Sequence, residues 1–86
     1  MKKNAVDPPG KAPIRVLVVD DHAIIRKGIR AMLEIVPDFE LVGESANGAD
    51  AIKQDEALRP DVILMDLVMP DMDGIEAIRH IKARHA

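Results

Sequence analysis

Two near-continuous apolar runs, "IRVLVVD" at residues 14–20 and "VILMDL" at residues 62–67, limit what this chain can build. A strand with one wet face alternates apolar and polar residues, because successive side chains point to opposite faces of the sheet. Runs of Val, Ile and Leu with little alternation belong instead to strands covered on both faces, as in parallel sheets. Parallel neighbours need a crossover between them, and helix-period segments follow each run. The first run leads into Asp20-Asp21, and the second carries Asp66. An ionised carboxylate is costly inside a core. Asp66 therefore either caps the next element or does chemistry at the carboxyl end of its strand.

After the acid pair the period changes. Ile25, Ile29, Met32 and Leu33 form one face of a helix running to about Ile35, with Arg26, Lys27, Arg30 and Glu34 on the other side. Pro37 ends it. "FELVGES" reads as a second, shorter strand, and Asn47-Gly48 as the turn that opens a helix over about residues 49–58. Ala51, Ile52 and Leu58 mark its apolar stripe, and Asp55 falls close to that stripe. Pro60 closes the helix, the third strand follows, "MPDMDG" turns the chain, and Ile75, Ile78 and Ile81 stripe a last helix. The order βαβαβα predicts an α/β fold with parallel pairing, right-handed crossovers and helices on both faces. Ligands of such open sheets bind beyond the carboxyl ends of the strands. If strands one and three are neighbours, Asp20, Asp21 and Asp66 meet at one rim.

Length and composition close off other classes. Eighty-six residues make one small domain, near the size where a single core is marginally stable. Phe39 is the sole aromatic, which argues against a platform for stacking nucleic-acid bases. The absence of cysteine excludes disulfides and thiolate metal sites, which fits a reducing compartment. No apolar run approaches the roughly 18 residues of a membrane span. Residues 1–13 lack the apolar stretch of a secretory signal, so the expected address is the cytoplasm, away from the membrane. That segment, rich in Pro, Lys and Gly, is expected to be a disordered N-terminal extension. It holds Lys2, Lys3 and Lys11 against Asp7, so the rest of the chain is more acidic than the net charge of −3 suggests. An acidic body argues against DNA binding by this chain.

Carboxylates gathered at one rim repel, and a hard divalent cation is the economical counter-charge. Mg²⁺ suits one or two carboxylates plus waters and phosphate oxygens, and a carboxylate beside it can act as a nucleophile towards phosphorus. Taken singly, the acids have plainer readings. Asp20 and Asp21 could cap the first helix, and Asp66 could bond backbone amides in the turn after its strand. Asp71 and Asp73 read as turn and cap residues, and His22 as a surface histidine of the first turn. His80 and His85 fall on the exposed part of the last helix, and the five methionines read as packing. Joint placement at the ends of adjacent strands is what raises Asp20, Asp21 and Asp66 above these readings.

"VLVVDDHAIIRKGIRAML" and "PDVILMDLVMPDMDGIEAIRHI" resemble the receiver domains of two-component response regulators. The Asp-Asp-His start, Arg-Lys-Gly in the first helix and "FELVGESANGADAI" are more narrowly similar to LuxR/NarL-type transcriptional regulators. The resemblance covers residue 14 to the end and implies a flavodoxin-like doubly wound fold, here a three-stranded parallel sheet of order 2-1-3. It implies that Asp66 accepts a phosphoryl group from a histidine kinase. Asp21 would be a direct Mg²⁺ ligand, Asp20 would hold a metal-bound water in the acid pocket, and the backbone carbonyl of Val68 would be the third protein ligand. Met69, Pro70 and Gly74 match the turn that shapes this loop.

Receivers have five strands and five helices, whereas this chain ends after the third helix, so residues 14–86 match the N-terminal part of a receiver. The strands bearing the switch Ser or Thr, the switch aromatic and the phosphoryl-contacting Lys have no counterpart, and Lys82 belongs to the last helix. DNA would be reached only through an output domain absent from this chain. The chain is thus expected to be a fragment of a full-length regulator, with its third strand a bare apolar edge prone to homodimer or swapped pairing. Asp55 departs from the small or apolar residue usual there. Two rivals stand beside the signalling reading. One is a Mg²⁺ phosphohydrolase using Asp66, against which no Asp-x-Asp nucleophile signature and no leaving-group acid are evident. The other is a fragment that cannot be phosphorylated and acts only through protein–protein pairing.

Overall fold

The computed structural model of the chain describes residues 12–66 and 74–84. Val68, the Met69-Pro70 turn, Asp71, Asp73 and His85 lie outside the described residues, as does most of the expected N-terminal extension. The elements run β1 (Ile14–Val19), α1 (Ala23–Glu34), β2 (Phe39–Ser45), α2 (Gly48–Leu58), β3 (Val62–Met65) and α3 (Gly74–Arg84). The expected βαβαβα order is observed. The three strands form one parallel sheet of order β2-β1-β3, so the most apolar strand takes the centre.

Burial follows that placement. Val16, Leu17, Val18 and Val19 of β1 are all at most 2% exposed, as a strand covered on both faces requires. Leu17 and Val19 point to one face, where they pack with Ala51 of α2 and with Ile63 and Met65 of β3. Helix α3 lies against α2, burying Ala77 and Ile81. The opposite face carries α1, which touches β2 and β1. Its predicted stripe is covered only in part: Ile29 and Leu33 are half-buried, whereas Ile25 and Met32 are 46% and 63% exposed.

Local chemistry sets the joints. Asn47 caps α2, its side-chain oxygen accepting from the Asp50 N–H at 2.8 Å. Arg59 ends α2 in the left-handed region, φ 51°, and its N–H donates to the Asp55 carbonyl. Asp55 itself is 1% exposed and makes polar interactions, so the residue that sat awkwardly near the apolar stripe is indeed inside. At the amino edge of the sheet, Arg15 and Asp61 bond reciprocally: Arg15 N–H donates to Asp61 Oδ2 at 2.9 Å, and Asp61 N–H to the Arg15 carbonyl at 2.8 Å. Among the described residues no helix is long and apolar enough to cross a membrane.

Candidate functional site

β1 and β3 are neighbours, and their carboxyl ends stop level. Val19 pairs with Met65, and the Asp66 N–H donates to the Val19 carbonyl at 2.8 Å, extending the ladder by one bond. On the other side the Asp20 N–H donates to the Ser45 carbonyl of β2 at 3.0 Å. Asp20 and Asp66 therefore leave the sheet side by side. One ligand atom from each of Asp20, Asp21, His22 and Asp66 lies within 4.8 Å of all the others. An open cleft of about 360 Å³ reaches this rim, with Ile29 and Leu64 on its apolar flank.

The expectation that Asp20, Asp21 and Asp66 meet at one rim is realised, through neighbouring strands. The capping alternative for the acid pair is not: the N-cap of α1 is His22, and no side chain caps the helix. Asp20 instead closes a tight turn, its Oδ1 accepting from the His22 N–H at 2.8 Å. His22, read from sequence as a surface histidine, is 62% exposed but joins the cluster. Its Nδ1 lies 2.8 Å from Asp20 Oδ1 and 3.1 Å from Asp21 Oδ1. The adjacency of Asp-Asp-His was the available signal, since a turn over the pair returns the ring onto both carboxylates.

Electrostatics agree with that geometry. Burial works against ionisation of Asp20, but the His22 N–H, the His22 ring and the Arg26 charge outweigh it and hold its carboxyl below the usual range. The hydrogen bond to Asp20 pushes the His22 imidazole up, with further help from the charges of Asp21, Asp20 and Asp66. Arg26, expected on the polar side of α1, turns towards the site: its Nη1 donates to the Asp20 carbonyl at 2.6 Å, and its Nε lies 3.4 Å from Glu44 Oε1. The cluster fits a hard cation, because three of its donors are carboxylates. His80 lies on α3 in another shallow pocket with Ile75, Glu76 and Arg79.

The family model described as the response regulator receiver domain matches residues 16–86. This chain belongs to that family. The receiver is 53% identical over 68 residues to the transcriptional regulatory protein LiaR of Bacillus subtilis, a match covering 79% of the chain and 32% of LiaR. It is 55% identical over 71 residues to a protein-glutamate methylesterase/protein-glutamine glutaminase of Alkalilimnicola ehrlichii, covering 83% of the chain and 18% of that protein. The receiver thus spans a third or less of the length of these relatives.

Among solved structures, the receiver domain of the NarL regulator of Mycobacterium tuberculosis superposes with a TM-score of 0.81 at 36% identity, over 85% of this chain and 59% of that one. A CheX–CheY complex with BeF₃ and Mg²⁺ from Borrelia burgdorferi gives 0.74 at 27%, over 84% and 55%. A CheY6 complex with the P1 domain of CheA3 from R. sphaeroides gives 0.72 at 41%, over 85% and 57%. The fold is therefore flavodoxin-like, the relatives include LuxR/NarL-type regulators, and the chain is a signalling domain of two-component systems.

Proposed function

We propose that this receiver takes a phosphoryl group onto Asp66, with Asp20 and Asp21 holding Mg²⁺ beside it. The observation that carries the reading is the convergence of carboxylates from the ends of two neighbouring strands, with ligand atoms inside 4.8 Å. Asp21 and Asp66 would be direct ligands and Asp20 would act through a water, with the Val68 carbonyl, outside the described residues, as the third protein ligand that the family resemblance implies. Bound Mg²⁺ would offset the charge on the phosphoryl oxygens. The residues of the chain supply the rest. An Asp66 carboxylate oxygen attacks phosphorus, forming a P–O bond as the P–N bond of a phosphohistidine breaks, and the released imidazole takes up a proton. The carboxylates of Asp20 and Asp21 face the same rim as Asp66, where they would hold the cation.

A histidine kinase is the proposed donor, a reading supported by the P1 complex of the similar CheY6. The proposed output is transcription, as for LiaR, with DNA reached through a separate output domain. The cytoplasm is the address in keeping with that chemistry. Self-pairing through β3 is the proposed homotypic contact.

Intact mass after incubation with acetyl phosphate, with and without Mg²⁺, tests the reading against Asp66→Asn. The expected result is a Mg²⁺-dependent gain of one phosphoryl group, lost in the variant. A folded chain that gains nothing overturns the phosphoacceptor reading in favour of pairing alone. Steady phosphate release with turnover overturns it in favour of a phosphohydrolase.

A further inference from the structure

We infer that Arg26 is a positioning residue for the acid pair, fixing the peptide that joins Asp20 to Asp21 by a charged hydrogen bond from α1. The inference rests on the proposed cation-holding role of that pair. β1 ends at Val19, so the chain leaves the regular ladder just where the two carboxylates begin. The Asp20 N–H is tied to β2 through the Ser45 carbonyl at 3.0 Å. Its carbonyl belongs to the next peptide unit, and there Arg26 Nη1 donates at 2.6 Å. A peptide unit is planar, so holding its oxygen also sets the direction of the Asp21 N–H and Cα. Both side chains then project to the rim from a backbone held on two sides.

The guanidinium is itself anchored. Arg26 Nε lies 3.4 Å from Glu44 Oε1, and Arg30, one turn further along α1, donates from Nε to Glu44 Oε2 at 2.8 Å and from Nη2 to Oε1 at 3.2 Å. The Glu44 backbone is fixed in turn, its carbonyl accepting from Gln54 Nε2 of α2 at 2.6 Å. The two arginines differ in what they reach. Arg30 is 47% exposed and pairs with the Glu44 carboxylate, the kind of surface pair that contributes little. Arg26 is 20% exposed and spans from Glu44 to the site backbone. A rigid planar fork makes both contacts at once, which a lysine ammonium does not.

Calorimetric Mg²⁺ titration of the 86-residue chain, beside Arg26→Met, Arg26→Lys and Arg30→Met, tests this. Removing a group that orients metal ligands typically weakens affinity about tenfold, and that loss is expected for Arg26→Met, with Arg26→Lys between it and the parent. Arg30→Met should stay within about twofold. Without metal, the ¹³C resonance of the Asp20 carbonyl should move in Arg26→Met and stay in place in Arg30→Met. In acetyl phosphate reactions the half-saturating Mg²⁺ concentration should rise for Arg26→Met while the saturated rate holds. Equal weakening by Arg26→Met and Arg30→Met, or an unmoved Asp20 carbonyl, overturns the inference. If Arg26→Met unfolds, Arg26→Lys decides by the same readings. A parent chain that binds no Mg²⁺ overturns this inference together with the proposed function. One that binds Mg²⁺ without modification of Asp66 overturns the phosphoacceptor reading alone, and the cation affinities still decide the role of Arg26.

Discussion

His22 and Asp20 make the metal-free site a small pH-dependent unit. The folded state raises the His22 imidazole above its ordinary 6.5, mainly through its hydrogen bond to Asp20. A raised base stabilises the fold fully below about its unfolded value, and that contribution disappears as pH climbs through the folded one. Asp20 behaves in the opposite sense. Its burial is outweighed by bonds from His22, so its folded value lies below 3.8, and its contribution is complete above 3.8 and lost as pH falls through the lower value. Urea midpoints in a chelator should therefore decline as pH rises above about 6.5, and His22→Gln should flatten that slope. An unchanged slope in the variant would remove His22 from the account. The magnitude is small, since the ring is largely exposed.

Between β1 and β2 the register shifts by one: Val16 pairs with Leu41 but Leu17 with Gly43, leaving Val42 as the extra residue. The bulge brings Gly43 under α2. A Cβ there would collide with Gln54 Oε1 and come within 2.8 Å of Leu58 Cδ1. In an open strand, alanine in place of glycine would gain about 0.5–1 kcal/mol from backbone entropy. Here the collision should reverse the sign, so Gly43→Ala is expected to cost about 1–3 kcal/mol of overpacking, read from urea unfolding. A neutral or stabilising result would mean that the side-chain ends of Gln54 and Leu58 swing aside to admit the methyl group. Sequence reading placed β2 over the same residues, 39–45, and saw the helix stripe of Ala51 and Leu58. Neither the bulge nor the reason for a glycine was visible, because both depend on what α2 lays across the strand.

The whole molecule leaves β3 at the sheet edge, paired among the described residues with β1 alone. Val62 and Leu64 are 39% and 43% exposed on the face that α1 covers only partly. An apolar edge of this kind offers unpaired backbone groups and an unfilled face to another chain. The 86-residue chain is accordingly expected to self-associate in sedimentation velocity, and Leu64→Lys to shift it towards monomer. A monomeric parent with a full cooperative unfolding transition would end that expectation.

The sequence by itself determined the element order, the approximate starts of the strands, and the three aspartates that could do chemistry, although it ran the third strand past Asp66 where β3 ends at Met65. Those are local properties: apolar period, turn residues and a carboxylate at the end of a strand are written within a few residues of one another. Strand order was legible only through the family resemblance, because which strands pair depends on contacts between residues distant in sequence, such as Ile14 with Phe39 and Val16 with Val62. The tertiary structure decided that β1 lies between β2 and β3, and so brought Asp66 beside Asp20. It also placed two side chains that the periodic reading set aside. Arg26 has the position of a polar-face residue, but its long side chain reaches the Asp20 carbonyl and the Glu44 carboxylate. His22 precedes a helix as many surface histidines do, yet the turn closed by Asp20 places its ring on both acids. A helical period tells which face of α1 a residue occupies; only the neighbouring strand ends tell that face what it meets.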